Sequence, residues 1–118
     1  MFESISKDLF EFLTTLPVFT AVMKRDGENY LYPMVAPLST PFPFTTYVLG
    51  ERSPETKDKS QVVVTLAFWY DVESFDACAS FTDTMSDVID DKYILLSSYI
   101  EYNEESNTFS GVANFNVI

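Results

Sequence analysis

Four of the chain's six prolines fall within eleven consecutive residues, and this segment restricts the fold more than any other part of the sequence. They are Pro33, Pro37, Pro41 and Pro43. Each proline fixes φ and removes a backbone N–H, so residues 33–43 can be neither a helix nor a central strand. The sequence therefore predicts a stiff, extended connection, called here the strap (residues 33–43), that crosses the surface or one edge of a sheet.

The rest of the chain alternates between helical and strand patterns. Apolar residues at three- and four-residue spacing predict a helix over residues 2–16, which Pro17 ends, and a second helix that begins around residues 71–74. Residues 44–49 read as a strand, and residues 61–70 are apolar on both faces, which favours a central strand. Residues 93–117 alternate around a polar turn and predict a hairpin.

These elements predict one domain over residues 1–118 of the α+β class. We expect a mainly antiparallel sheet of about four to five strands, with two helices packed on one face.

Residues 50–60 are polar and contain a proline but no large apolar side chain. We predict a loop here, most mobile over residues 51–59, that becomes ordered only against a partner. The candidate partner-binding residues of this loop are Arg52, Glu55, Lys57 and Lys59.

The formal net charge is −11, from eighteen acids and seven bases. Such a charge opposes nucleic-acid binding, and no basic stripe offsets it. Two interpretations remain open: the acids serve solubility, or they line a passage through which a polyanion slides without sticking. The candidate acidic residues are Asp87, Asp90, Asp91, Glu101, Glu104 and Glu105.

The sequence offers little for catalysis. There is no histidine, which removes the usual general base and imidazole metal ligands. The apolar stripe predicted for the second helix consists of Phe75, Cys78, Phe81, Met85, Val88 and Ile89. Because Cys78 belongs to this stripe, packing is favoured over a nucleophilic role. None of the three glycines belongs to a phosphate-binding loop. We predict no enzyme activity, no catalytic residues, no cofactor and no tightly bound metal, although a hydrolase built on carboxylates stays open as an alternative.

The sequence also indicates the cellular compartment in which the protein is made. No apolar run approaches the ~20 residues that a membrane-spanning helix needs, and the first residues lack the basic region of a signal peptide. A single cysteine fits a reducing compartment, so we expect a protein made in the cytosol.

The segment YPMVAPLSTPFPFTTYVLGE and the later VVVTLAFWYDVESFDACASFTDTMSDVI resemble the tail-completion, or tail terminator, proteins of long-tailed bacteriophages. The resemblance spans nearly the whole chain and rests on short structural motifs. Its matching positions are Pro33, Ala36, Pro37, Thr40, Phe42, Pro43 and Tyr47, then residues 62–68, then Phe75, Ala77, Ala79, Val88 and Ile89.

The resemblance implies a structural role in the virion, at the head-proximal end of the tail, after assembly in the host cytoplasm. Proteins of this family form a six-subunit ring that caps the tail tube, stops its polymerisation and joins it to the head connector or stopper protein. The implied partners are other copies of the chain, the tail tube protein and the head connector, with no sequence-specific nucleic-acid binding and no membrane.

A stiff strap loses little entropy on docking, so it could define a contact between subunits. The candidate interface residues are Pro37, Pro41, Phe42, Pro43 and Phe44. Alternatively, the strap merely closes its own core. The whole chain could also be a protein- or ligand-binding α+β module, joined as a dimer by its sheet edges, or another phage neck or head-completion protein.

Overall fold

The computed structural model describes residues 1–54 and 60–117. The chain begins with two consecutive helices, α1 (Phe2–Thr14) and α2 (Pro17–Met23). Pro17 both ends α1 and starts α2, because its missing N–H is tolerated in the first turn of a helix. The sequence predicted the end of the first helix at this proline but missed α2.

A two-residue hairpin follows α2. Strands β1 (Lys24–Arg25) and β2 (Glu28–Asn29) pair around Asp26 and Gly27, which both have positive φ. The dipeptide Asp26-Gly27 predicts a turn because glycine adopts positive φ without penalty, and the tight hairpin confirms this prediction.

The main sheet has five strands in the order β3-β4-β5-β7-β6. Its central strand, β5, contains the predicted segment 61–70 and pairs on one side with the predicted strand 44–49, so both predictions are confirmed. Three of the four pairings are antiparallel, while β3 and β4 are parallel. The strands are β3 (Leu31–Pro33), β4 (Phe44–Pro54), β5 (Ser60–Asp71), β6 (Ile94–Asn103) and β7 (Thr108–Val117).

Helix α3 (Phe75–Lys92) packs on β5, β6 and β7. Its buried residues include Cys78, Phe81 and Met85, as predicted, whereas Phe75 is 42% exposed and stacks on Phe109. The face of the sheet beneath α3 is called here the covered face. Alternate residues of β5 line it and are almost fully buried: Val62, Val64, Leu66, Phe68 and Tyr70.

The α+β class and the mainly antiparallel sheet are confirmed. The arrangement of helices differs from the prediction, because the described residues form three helices and these do not make one clear layer on one face. Instead, α1 packs on α2, and α2 packs on α3. Buried side chains of all three helices join one apolar core with the sheet.

The prediction of a loop over residues 50–60 is wrong at both ends, where the structure has strands. Residues 50–54 continue β4, and Ser60 already belongs to β5. The two strands keep pairing beyond an irregularity between Leu49 and Arg52, so backbone hydrogen bonds order a stretch whose composition favours a loop. The predicted mobility of residues 55–59 lies outside the described residues.

Candidate interaction surfaces

The strap is the connection between the parallel strands β3 and β4, so it must return along the sheet before β4 begins. It does so on the face opposite α3, called here the open face. Phe42 stacks on Phe44 with ring centroids 5.3 Å apart, and Phe44 stacks on Trp69 at 6.2 Å. The Trp69 Nε1–H also donates a 2.9 Å hydrogen bond to Thr46 Oγ1. The end of the strap is therefore fixed to the open face by an aromatic stack.

Arg25 holds the same end of the strap from outside the sheet. Its Nη2 donates to the carbonyl oxygens of Pro41 at 3.2 Å and Pro43 at 2.7 Å. Its guanidinium also lies 3.8 Å from the centroid of the Tyr30 ring. Prolines cannot donate hydrogen bonds, so Arg25 supplies the donors that this segment lacks. Sequence reasoning missed Arg25, since nothing in its local pattern links it to prolines 16 and 18 residues away.

The middle of the strap projects into solvent. Met34 is 63% exposed, Val35 77% and Leu38 99%, which is unusual for three apolar side chains in one short segment. Met34 and Ser39 have positive φ, a conformation that costs energy for residues other than glycine. The surrounding structure therefore fixes an apolar projection that its own core does not use.

Between the strap and the sheet lies a groove of about 400 Å³. Strap residues form one wall, and Phe44, Thr46 and Trp69 of the open face form the other. Apolar atoms predominate in it, so the groove suits an apolar side chain better than a charged group.

The open face carries an uncharged hydrogen-bond ladder beside the strap. Thr65 Oγ1 donates to Asn114 Oδ1 at 2.6 Å, and Asn114 Nδ2 donates to Ser97 Oγ at 3.1 Å. Strand registers place Val63 and Tyr99 on the same face, where they are 38% and 49% exposed. The side chains of the ladder are hydrogen-bonded to one another, whereas the Oδ1 of Asn116 on the same face is buried and accepts no hydrogen bond from the described residues.

The predicted interface residues divide into an anchored and an exposed group. Pro43 and Phe44 are half-buried against the sheet, whereas Pro37, Pro41 and Phe42 are exposed. The exposed group is therefore accessible to another molecule, whereas the anchored group fixes the strap to its own sheet.

The predicted partner-binding loop is only partly described. Arg52 is exposed in β4, where it pairs with Val62 of β5. Glu55, Lys57 and Lys59 lie outside the described residues.

The six predicted acids are all exposed but fall into two groups. Asp87, Asp90 and Asp91 lie at the end of α3 that leads into β6. Glu104 and Glu105 lie in the turn after β6, and Glu101 lies near this turn on the open face. Because β6 has ten residues, the two groups are about 30 Å apart along it.

The described residues provide no obvious reaction centre. Cys78 is fully buried, and burial raises the pKa of its thiol, so the reactive thiolate is disfavoured. No three cysteine, aspartate or glutamate side chains converge as metal ligands in residues 1–54 and 60–117. No helix in this part of the chain is long and apolar enough to cross a membrane.

No protein-family model, curated protein or solved structure matches this chain.

Proposed function

We propose that the chain is a structural assembly protein of a long-tailed phage, which forms a ring on the tail tube, ends its polymerisation and joins it to the head. The observation that carries this proposal is the exposed apolar projection of the strap. Met34, Val35 and Leu38 are exposed on a strap whose end is anchored to the sheet by the aromatic stack and by Arg25. Such a pre-ordered apolar surface favours contact with another protein, because little conformational entropy is lost on docking.

A ring requires a contact that repeats from one subunit to the next. In a closed ring, one patch of each copy meets a different patch of its neighbour. The strap and the uncovered part of the open face are two such patches on one chain. This supports a head-to-tail contact.

The distribution of acids is compatible with a ring on the path of DNA. The two acidic groups lie at opposite ends of β6. If β6 runs along the lumen, both mouths of the passage repel the phosphate backbone, whereas lysine or arginine there would bind and retard DNA.

Two other functions remain as candidates. The dispersed carboxylates give no support for a hydrolase, since paired acids must lie close to one reacting bond. A dimeric binding module is better supported, because the edge strand β6 has ten residues without a proline, lysine or arginine to prevent pairing. It would bind a partner or ligand without forming a ring.

The oligomeric state tests these candidates. We expect analytical ultracentrifugation to give a mass of about six subunits and negative-stain electron microscopy to show rings. Leu38→Glu should abolish the ring without unfolding the chain, because this side chain is 99% exposed. Phe10→Glu is the control, at a 42% exposed position on α1, and should keep the ring. A monomer, or a fixed dimer at all concentrations, would refute the proposed function.

A further inference from the structure

We infer that the open face of the sheet, together with the strap, is the surface on which a second copy of this chain packs. This inference rests on the proposed function only in so far as a ring needs a contact between copies.

The strap lies in the longest uncharged part of the chain. Charged residues make up 21% of the sequence, yet residues 30–50 contain none. This uncharged stretch includes β3, the strap and the part of β4 that borders the groove. Depletion of charge together with exposed apolar side chains is typical of the centre of a protein interface.

The open face is similarly poor in charge. From Val63 to Trp69 and across the neighbouring strands, the described residues place two acids on this face: Glu101 at its margin, and Glu51 in the irregularity of β4 opposite Val63. Many other charges therefore lie on the helices, turns and strand ends, as the acids of α3 do.

This distribution of charge favours another copy of the chain as the molecule that packs on the open face and the strap. Two chains with a net charge of −11 repel each other, and facing like charges would cost several kcal/mol. A contact between copies therefore needs a surface with few acids, and the strap with the open face is such a surface. A basic partner would instead be attracted to the acidic groups at the ends of β6.

The shape of the surface also suits a second copy. The strap stands on the β3–β4 side of the open face, against Phe44 and Trp69, and leaves the β7–β6 side uncovered. The projecting Leu38 of one copy can pack beside Val63 and Tyr99 of the other. This joins two different patches, so it allows either a ring or a reciprocal dimer.

The available area is sufficient. The three uncovered strands β5, β7 and β6, about 4.8 Å apart over about eight residues each, give a projected area of roughly 400 Å². A contact in which each copy uses both this area and its exposed strap approaches the roughly 800 Å² per partner of a standard interface.

The decisive variant is Val63→Glu, which puts a charge on the uncovered part of the open face. Its matched control is Val18→Glu on α2, since the two valines are 38% and 41% exposed. We expect ultracentrifugation to show an oligomer for the unchanged chain and for Val18→Glu. Val63→Glu should sediment as the 13.5 kDa monomer, with an unchanged circular dichroism spectrum.

Cross-linking gives a second measurement that does not depend on the folding of Val63→Glu. Cys78 is fully buried, so cysteines introduced at exposed positions are the reactive thiols of the folded chain. Ser97→Cys on the open face, combined with Leu38→Cys on the strap, puts one thiol on each side of the proposed contact and should give covalently linked copies with a short bis-maleimide. Ser80→Cys, exposed on α3, combined with Leu38→Cys, should give far fewer.

The outcomes separate this inference from the proposed function. A ring that survives Val63→Glu and is not cross-linked through Leu38→Cys and Ser97→Cys overturns the inference and leaves the function standing. A dimer that Val63→Glu dissociates supports the inference and refutes the ring. A monomeric unchanged chain overturns both.

Discussion

Gly111 of β7 and Thr82 of α3 are in such close contact that no side chain fits between them. A Cβ atom built on Gly111 would lie 2.9 Å from the Thr82 Cβ and would overlap the Thr82 Oγ1. Real Cβ atoms are essentially never this close to another heavy atom outside their own neighbourhood. This glycine therefore sets how closely α3 approaches the centre of the sheet.

We predict that Gly111→Ala destabilises the fold by about 1–3 kcal/mol, as overpacking of a rigid core does. Urea unfolding measures the change. Thr82→Ala removes part of the obstruction, so Gly111→Ala should cost less in that background, and the difference is the coupling energy of a double-mutant cycle. An equal cost in both backgrounds would show that the clash with Thr82 is not the cause.

The strap's attachment can be followed through the chain's single tryptophan. Phe42→Ala removes the outer ring of the stack on Phe44 and Trp69, and we expect a loss of about 1 kcal/mol, since such aromatic pairs contribute about 0.5–1.5 kcal/mol. The emission of Trp69 should shift to longer wavelength as water reaches the indole. Leu38→Ala is the control, because this side chain is 99% exposed and should leave the emission unchanged. No spectral change in Phe42→Ala would contradict the proposed anchoring.

Because the phenol of Tyr70 is buried, we predict that the folded state loses stability in alkaline solution. Burial raises the pKa of its phenol, with a smaller contribution from Cys78, so the folded state keeps a proton that the unfolded state releases near pH 10. The contribution of Tyr70 to the free energy of unfolding is complete below pH 10 and declines as the pH rises above it. Tyr70→Phe cannot ionise there, so this variant should lose less stability than the unchanged chain between about pH 9 and 11. Parallel curves for the two proteins would refute this.

Helix α1 is joined to the sheet by one long-range polar contact, between Ser6 Oγ and the Tyr47 hydroxyl at 2.6 Å. We expect Tyr47→Phe to reduce the free energy of unfolding by about 0.5–1.5 kcal/mol, the usual net contribution of a hydrogen bond. Ser6→Ala should remove the same interaction. If the bond matters, the double variant is less destabilised than the sum of the two single variants.

The acidic groups give a functional prediction. Replacing Asp87, Asp90 and Asp91 by lysine should change stability by less than about 1 kcal/mol, because exposed charges contribute little. In a phage, such rings should assemble but release DNA poorly, since the added lysines bind its backbone. If the charge-reversed rings deliver DNA normally, the acids serve solubility alone.

The local sequence pattern was sufficient to predict those helices and strands whose burial depends on their own residues. The double-sided apolar run around Val64 predicted the central strand, and the spacing of Cys78, Phe81 and Met85 predicted α3. The local pattern failed where the structure of a segment depends on a strand that is distant in the sequence. The polar residues 50–54 are a strand because β5 supplies their hydrogen bonds, and the parallel pairing of β3 depends on residues after the strap.

The candidate surfaces were predicted in part. The prolines identified the strap, but its exposed middle and its anchor could not be read from them. Whether Leu38 projects into solvent or fills its own core depends on where the sheet lies beneath it. Arg25 contacts the strap only because the hairpin of β1 and β2 brings it there.

The position of β7 in the sheet has a consequence for how the chain is made in the cell. A ribosome synthesises β7 after the other four strands, yet β7 lies between β5 and β6. One edge of β5 therefore lacks its hydrogen-bonding partner strand during translation, and the apolar run of β5 favours aggregation while this edge is unpaired. We conclude that the sheet closes only after β7 has emerged, so slow translation or a missing chaperone would reduce yield before stability plays any part.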